Sequence, residues 1–136
     1  MSFPLSSFDS KDVTCFDIVK AAYALSENEI EIMMCIKNMQ PADIKVITEI
    51  IPKDRATISR SIQRLIGIGI VRKTKINLER GGFKYIYSSL SVEELKTKLR
   101  ELIERISENM ECAISNLTEE KCKEVFKEVR AKYTTK

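Results

Sequence analysis

Between residues 53 and 84 the chain carries nine cations, Lys53, Arg55, Arg60, Arg64, Arg72, Lys73, Lys75, Arg80 and Lys84, against two anions, Asp54 and Glu79. Residues 1–52 carry 4 basic and 8 acidic side chains and residues 91–136 carry 10 of each, so positive charge is concentrated in one segment of a chain whose net charge is only +3. Lys and Arg that neutralise phosphates release condensed counterions, which makes such a segment the footprint of a nucleic-acid reader. A solvated face is the plainer reading of any charge run standing alone. Here the spacing adds to the charge. Ile58, Ile62, Leu65 and Ile66 recur at i, i+4, i+7 and i+8, the inward stripe of a helix over residues 55–66, with Asp54 as N-cap. At 100° per residue, Ala56, Ser59, Arg60, Gln63 and Arg64 then lie on its other side or edges.

Those side chains suit a major groove. Arg60 can donate twice to guanine O6 and N7, Gln63 can pair with adenine N6 and N7, and Ala56 leaves room or meets a thymine methyl. Lys53, Arg55, Thr57 and the first-turn amides are placed for phosphates, where the helix dipole favours negative charge. Two alternatives stay open: Thr57 and Ser59 as ordinary helix-start residues, and Arg64 as the partner of an acid on a neighbouring helix.

The inventory excludes much else. With no His in the chain, Ser-His-Asp and Cys-His catalysis, His zinc sites and imidazole switching have no residues to work with. No Gly-rich phosphate loop or metal-ligand cluster occurs, and no cofactor is expected. Glu101, Glu104, Glu108 and Glu111 sit among Lys and Arg and read as a solvated face, not as an acid–base pair. Cys15, Cys35, Cys112 and Cys122 never form a CxxC; reduced, mostly buried thiols are expected, with Cys112 or Cys122 as the alternative redox sensor. No apolar run approaches the ~18 residues of a membrane span, and no secretory leader is evident, so a cytoplasmic protein without membrane contact is expected.

The elements that must carry the cationic helix follow in order. Residues 1–10 form a lead-in, and 11–25 a short helix. Ser26 with Glu29 makes a capping box for a second helix ending near Asn38, with Ile30, Met33, Met34 and Ile36 on its apolar side. A third helix spans 42–51 and presents Ile44, Ile47, Ile50 and Ile51 inward, with Pro52 ending it. After the cationic helix, which Gly67 ends in a left-handed conformation, the period changes to that of strands. Ile68, Ile70, Val71 and Ile76 precede a tip containing Gly81 and Gly82, and Phe83–Tyr87 alternates.

Helix, helix, helix, hairpin is the order of a winged helix-turn-helix. The stretch from Ser26 to Ser89 resembles the archaeal and bacterial MarR/TrmB-like winged-helix regulators, above all in Arg55-Ala56-Thr57-Ile58-Ser59-Arg60-Ser61-Ile62-Gln63-Arg64-Leu65 followed by Gly67-Ile68-Gly69-Ile70-Val71. The resemblance implies a mainly α fold with a small β-hairpin wing, in which this helix reads DNA. Lys73, Lys75, Arg80 and Lys84 lie on the wing for backbone or minor-groove contact. The tip Asn77-Leu78-Glu79-Arg80-Gly81-Gly82 departs from the usual pattern, in which many relatives carry Asp-x-Arg. The resemblance also implies room for an unidentified small-molecule effector, with Met33, Met34, Phe16 and Tyr23 as candidates to line it, although core packing is the plainer role for them. Much Ile, Lys and Glu hints at a thermophilic or AT-rich source.

Ser91 caps a long helix, with Glu94 completing the box. Val92, Leu95, Leu99, Leu102, Ile106, Met110, Ala113 and Leu117 recur at three- and four-residue steps, the spacing of a coiled coil. Leu95, Leu99, Leu102, Ile106, Met110 and Leu117 are therefore expected to form a homodimer seam, the alternative being a tail folded onto its own chain. Thr118 caps a last helix, with Glu119–Lys123 and Glu128–Lys132 as expected i,i+4 pairs. The expected division is an N-terminal extension and helix over 1–25, a winged helix-turn-helix over 26–90 and a helical dimerisation region over 91–136. The expected function is a homodimeric, sequence-specific regulator on double-stranded DNA. The alternatives are a protein-interaction module of the transcription machinery and a thiol-based redox regulator.

Overall fold

A computed structural model describes residues 4–134. A 3-10 turn, η1 (Leu5–Phe8), leads into α1 (Cys15–Tyr23), α2 (Glu27–Met39), α3 (Ile44–Ile50) and α4 (Arg55–Gly67). The antiparallel hairpin β1 (Val71–Asn77) and β2 (Phe83–Ser89) follows, then α5 (Val92–Ser115) and α6 (Glu119–Tyr133). This is the mainly α winged-helix fold with a β-hairpin that the element order predicts. The chain divides into two compact units, residues 1–99 and 100–136, so the first turns of α5 belong with the winged helix.

Side-chain caps set most helix starts. Thr14 accepts from the Asp17 amide and the Asp17 carboxylate accepts from the Thr14 amide, so α1 begins at Cys15 and not at Lys11. Ser26 and Glu29 form the same reciprocal box on α2. Asp43 accepts from the Val46 amide, which starts α3 at Ile44 where the sequence suggested 42. Asp54 accepts from the Thr57 amide at 2.7 Å. Ser91 and Glu94 exchange bonds at the head of α5.

Hydrogen bonds to these caps favour the ionised carboxylates: amide and hydroxyl bonds from Thr57 to Asp54, and first the Val46 amide to Asp43, hold both below their ordinary 3.8. Glu94, bonded first by the Ser91 amide, lies below 4.5. A carboxylate whose folded pKa is depressed contributes stability above its unfolded pKa, and that contribution disappears as pH falls through the folded value. Thermal midpoints should therefore hold steady above about pH 5 and decline progressively below about pH 4. Asp54→Asn, which keeps the acceptor oxygen without the titration, should flatten that decline; an unchanged pH profile would contradict the assignment.

The core of the first unit is aliphatic. Ile32, Met33 and Ile36 of α2, Ile47 of α3, Ile58, Ile62 and Leu65 of α4, and Ile70 are the largest fully buried side chains. Val71 and Tyr87 close it from the hairpin, and Leu95 and Leu99 pack against it from α5. Each fully buried Ile or Leu contributes ~1.5–3 kcal/mol of burial, which fixes the rotation of α4 about its axis.

The hairpin begins later than the apolar run implies. Gly67 ends α4 without turning left-handed; Gly69 does so, at φ +82°. Ile68 through Ile70 thus form the turn, with the Ile70 amide bonded to the Leu65 carbonyl. At the tip, Gly81 (φ +88°) and Gly82 (φ +79°) take the backbone that side chains disfavour. The register runs from Val71 opposite Ser89 to Asn77 opposite Phe83. Ala42 adds an antiparallel bridge to Tyr87, with backbone bonds of 2.7 and 3.1 Å, tying the hairpin to the residues just before α3.

In the second unit, residues 103–134 are exposed throughout. Lys121 pairs with Glu124 on α6 at 3.7 Å. No helix among the described residues is long and apolar enough to cross a membrane.

Candidate nucleic-acid interface

With Ile58, Ile62 and Leu65 turned into the core, α4 leaves Arg55, Ala56, Arg60, Gln63 and Arg64 exposed and Thr57 and Ser59 half-buried. Ser61, between the apolar positions, is buried as well, and Asn28 of α2 donates to its hydroxyl at 3.2 Å. Arg60 donates to the Thr57 hydroxyl at 3.4 Å and to no other group among the described residues, so its guanidinium retains donors for an outside acceptor. Ala56, Arg60 and Gln63 are therefore brought together on one open face.

Arg64 is different. Its guanidinium pairs with Glu29 at 2.6 Å and donates to the carbonyls of Ala24 and Tyr23. The expectation of a DNA contact is corrected: one side chain joins the end of α1, the start of α2 and the face of α4. The Glu29 side chain is only 12% exposed, and removing one member of a shielded ion pair leaves the other without compensation. Arg64→Ala should lower unfolding free energy by ~1–3 kcal/mol, read by denaturant titration. An unchanged midpoint would show that this clamp carries no weight.

Two other cations are also engaged: Lys84 with Asp43 at 3.4 Å, and Arg72 with Glu94 at 2.8 Å. The Lys84–Asp43 pair draws that ammonium toward the cap of α3, so Lys84 is not a simple open phosphate contact. Lys53, Arg55, Arg60, Lys73, Lys75 and Arg80 make no ion pair within 4.0 Å among the described residues. One further correction concerns the first turn of α4. Asp54 already occupies the Thr57 amide with a negative oxygen, so that amide does not stand open for a phosphate.

The hairpin contributes a second basic surface, with Lys73 over the Tyr85 ring at 4.0 Å and Lys75 over the Phe83 ring at 4.2 Å. Arg80 is exposed at the tip. The alternating aromatics were legible in sequence, but their pairing with lysines was not.

Residues 25–77 match the model of the MarR family. The matched segment holds α2, α3, α4 and β1, the elements that build the exposed α4 face. The chain is 28% identical over 103 residues to an uncharacterized protein of Methanocaldococcus jannaschii, covering 75% of this chain and 78% of that one. Its fold is similar to that of a possible transcriptional regulator from Methanosarcina mazei, with a TM-score of 0.67, 20% identity and coverage of 77% and 89%. It is also similar to a protein of Sulfolobus tokodaii, with a TM-score of 0.56, 20% identity and coverage of 70% and 93%.

Several expectations about the remaining residues change. Leu95 and Leu99 pack against the core of their own chain and do not stand free for a seam, because the start of α5 closes the winged-helix domain. Leu117 lies in the turn after α5, not on the helix stripe. Leu102 is half-buried, whereas Ile103, Ile106, Met110 and Ile114 are exposed apolar residues on α5 and Val125, Phe126 and Val129 on α6. Of the four thiols only Cys35 is buried; Cys15, Cys112 and Cys122 are exposed. Burial pushes the Cys35 thiol pKa up, which makes it inert. Of the candidate effector-lining residues, Met33 is core. Met34 lines a shallow apolar hollow with Ile30, Cys35, Ile50 and Ile51, which neither Phe16 nor Tyr23 reaches.

Proposed function

We propose that the protein is a sequence-specific transcriptional regulator that binds double-stranded DNA as a homodimer, with α4 in the major groove and the wing on the adjacent backbone. The observation that carries this reading is the open α4 face. Ala56, Arg60 and Gln63 project from a helix whose rotation is set by its buried stripe, and the flanking cations Lys53, Arg55, Lys73, Lys75 and Arg80 make no ion pair within 4.0 Å among the described residues. Arg60 and Gln63 read bases; Lys53, Arg55, the wing lysines and Arg80 contact phosphates, with Thr57 and Ser59 at the groove edge.

The homodimer follows from the C-terminal helices. α5 and α6 carry apolar side chains yet contain no buried residue, and an isolated helix without a covered apolar face is marginal in water. A second copy covering Leu102, Ile106 and Met110, together with Ile103 and Phe126, supplies the missing interior. It also places two α4 helices to read two half-sites. A protein-docking role would not require a basic surface with unpaired arginines.

Selection of bound fragments from a random duplex pool, followed by titration of the winning site across salt, tests the reading. A recovered inverted repeat and a log–log salt slope of several units are expected. Enrichment of no sequence, or a flat slope, would reject it.

A further inference from the structure

One surface of the wing is unlike the rest of the molecule. Register places Lys73, Lys75 and Asn77 of β1 opposite Tyr87, Tyr85 and Phe83 of β2, so all six share one side of the ribbon. At the base, Tyr87 is buried. Toward the tip, Phe83 is 50% and Tyr85 37% exposed. Their rings meet edge to face with centroids 5.4 Å apart. Each lysine leans diagonally toward the tip, Lys73 over Tyr85 and Lys75 over Phe83, within reach of a diagonal cross-strand neighbour.

A free lysine carries a flexible four-carbon stem, and fixing it costs conformational entropy. A ring face beneath the ammonium confines it before any ligand arrives, while the far side of the ammonium stays open to an anion. Residues two apart on a strand are ~6.6–6.8 Å apart, a separation comparable to that of consecutive phosphates along a nucleic-acid strand. The opposite side of the ribbon differs: Arg72 and Lys84 there are held by Glu94 and Asp43.

We propose that this wing face is a phosphate-tracking rail in which Phe83 and Tyr85 are positioning residues that hold Lys75 and Lys73 over successive phosphates of one DNA strand. The inference rests on the DNA-binding reading and adds to it two residues that carry no charge. It makes the wing a sequence-independent clamp beside the base-reading helix.

The test compares the full-length protein with Lys73→Ala/Lys75→Ala, Phe83→Leu/Tyr85→Leu and Phe83→Tyr/Tyr85→Phe variants, each titrated on a selected and on a scrambled duplex over a salt series. The lysine variant should lose up to about two units of log–log salt slope on both duplexes. The leucine variant keeps every charge, yet should bind both duplexes more weakly by roughly two- to fivefold per ring, with its preference between them unchanged. The ring-swap variant, which retains both aromatic faces, should bind as the wild type does. Thermal midpoints of all variants, matched to the wild type, separate this from unfolding.

Wild-type affinity in the leucine variant, an unchanged slope in the lysine variant, or failure of the ring swap to restore binding would each overturn the rail while leaving the α4 reading intact. Absence of duplex binding by the wild type in dilute salt would overturn both.

Discussion

Arg60→Ala removes the preference for a selected operator: affinity for that site falls by about 1–3 kcal/mol, or roughly ten- to a hundredfold, toward the value for scrambled duplex. The size of the effect comes from geometry. Arg60 stands on the open side of α4, bonded to the Thr57 hydroxyl at 3.4 Å and near the exposed Asp54 carboxylate, so truncation leaves no buried group unsatisfied. Stability should therefore be unchanged while discrimination collapses. Arg60→Lys should not restore it, since an ammonium cannot offer the two parallel donors that guanine accepts. Competition titrations with both duplexes measure the ratio; a variant that still discriminates would move base reading away from this residue.

Ile106→Glu should have the larger effect. Ile106 is 38% exposed within one chain, so a carboxylate there costs a monomer little. In a seam with a second copy the same carboxylate is forced out of water without a partner, at a cost of several kcal/mol. Light scattering should report a monomer. Operator affinity should fall by about 10²–10⁴, the gain that two linked half-site contacts provide, while affinity for a single half-site stays as before. A dimeric variant, or a wild type that is already monomeric, would remove the two-helix model of recognition.

Much of this architecture was legible in the sequence because it rests on local periodicity. The spacing of Ile58, Ile62 and Leu65 fixes which side of α4 is buried, and the same spacing exposes Arg60. Asp54, Ser26 and Ser91 announce helix starts through side-chain chemistry that acts over three residues. Thr14 and Asp17 make the same statement for α1, a signal that places its start four residues after the one inferred from apolar spacing alone. What stayed hidden depends on distance along the chain. Glu29 lies 35 residues before Arg64 and Tyr23 41 before it, so composition could not choose between a groove contact and an internal clamp.

Leu95 and Leu99 illustrate a different limit. A three-four repeat shows that a face will be covered but not by what, and the first turns of α5 are covered by the core of their own chain. Leu117 continues the repeat by number only, because α5 ends at Ser115. The wing pairs were concealed for a third reason. Which ring lies under which lysine depends on register, and register depends on the two left-handed glycines at the tip.

The exposed C-terminal helices also bear on how long a newly made molecule survives. At low copy number a solitary chain presents Ile103, Met110, Phe126 and Val129 to water, and segments with few buried apolar contacts open most readily to proteases. Rising abundance protects the polypeptide through mass action. On the homodimer reading, scarce protein would accordingly be cleared faster than plentiful protein, giving its level a threshold without any added component.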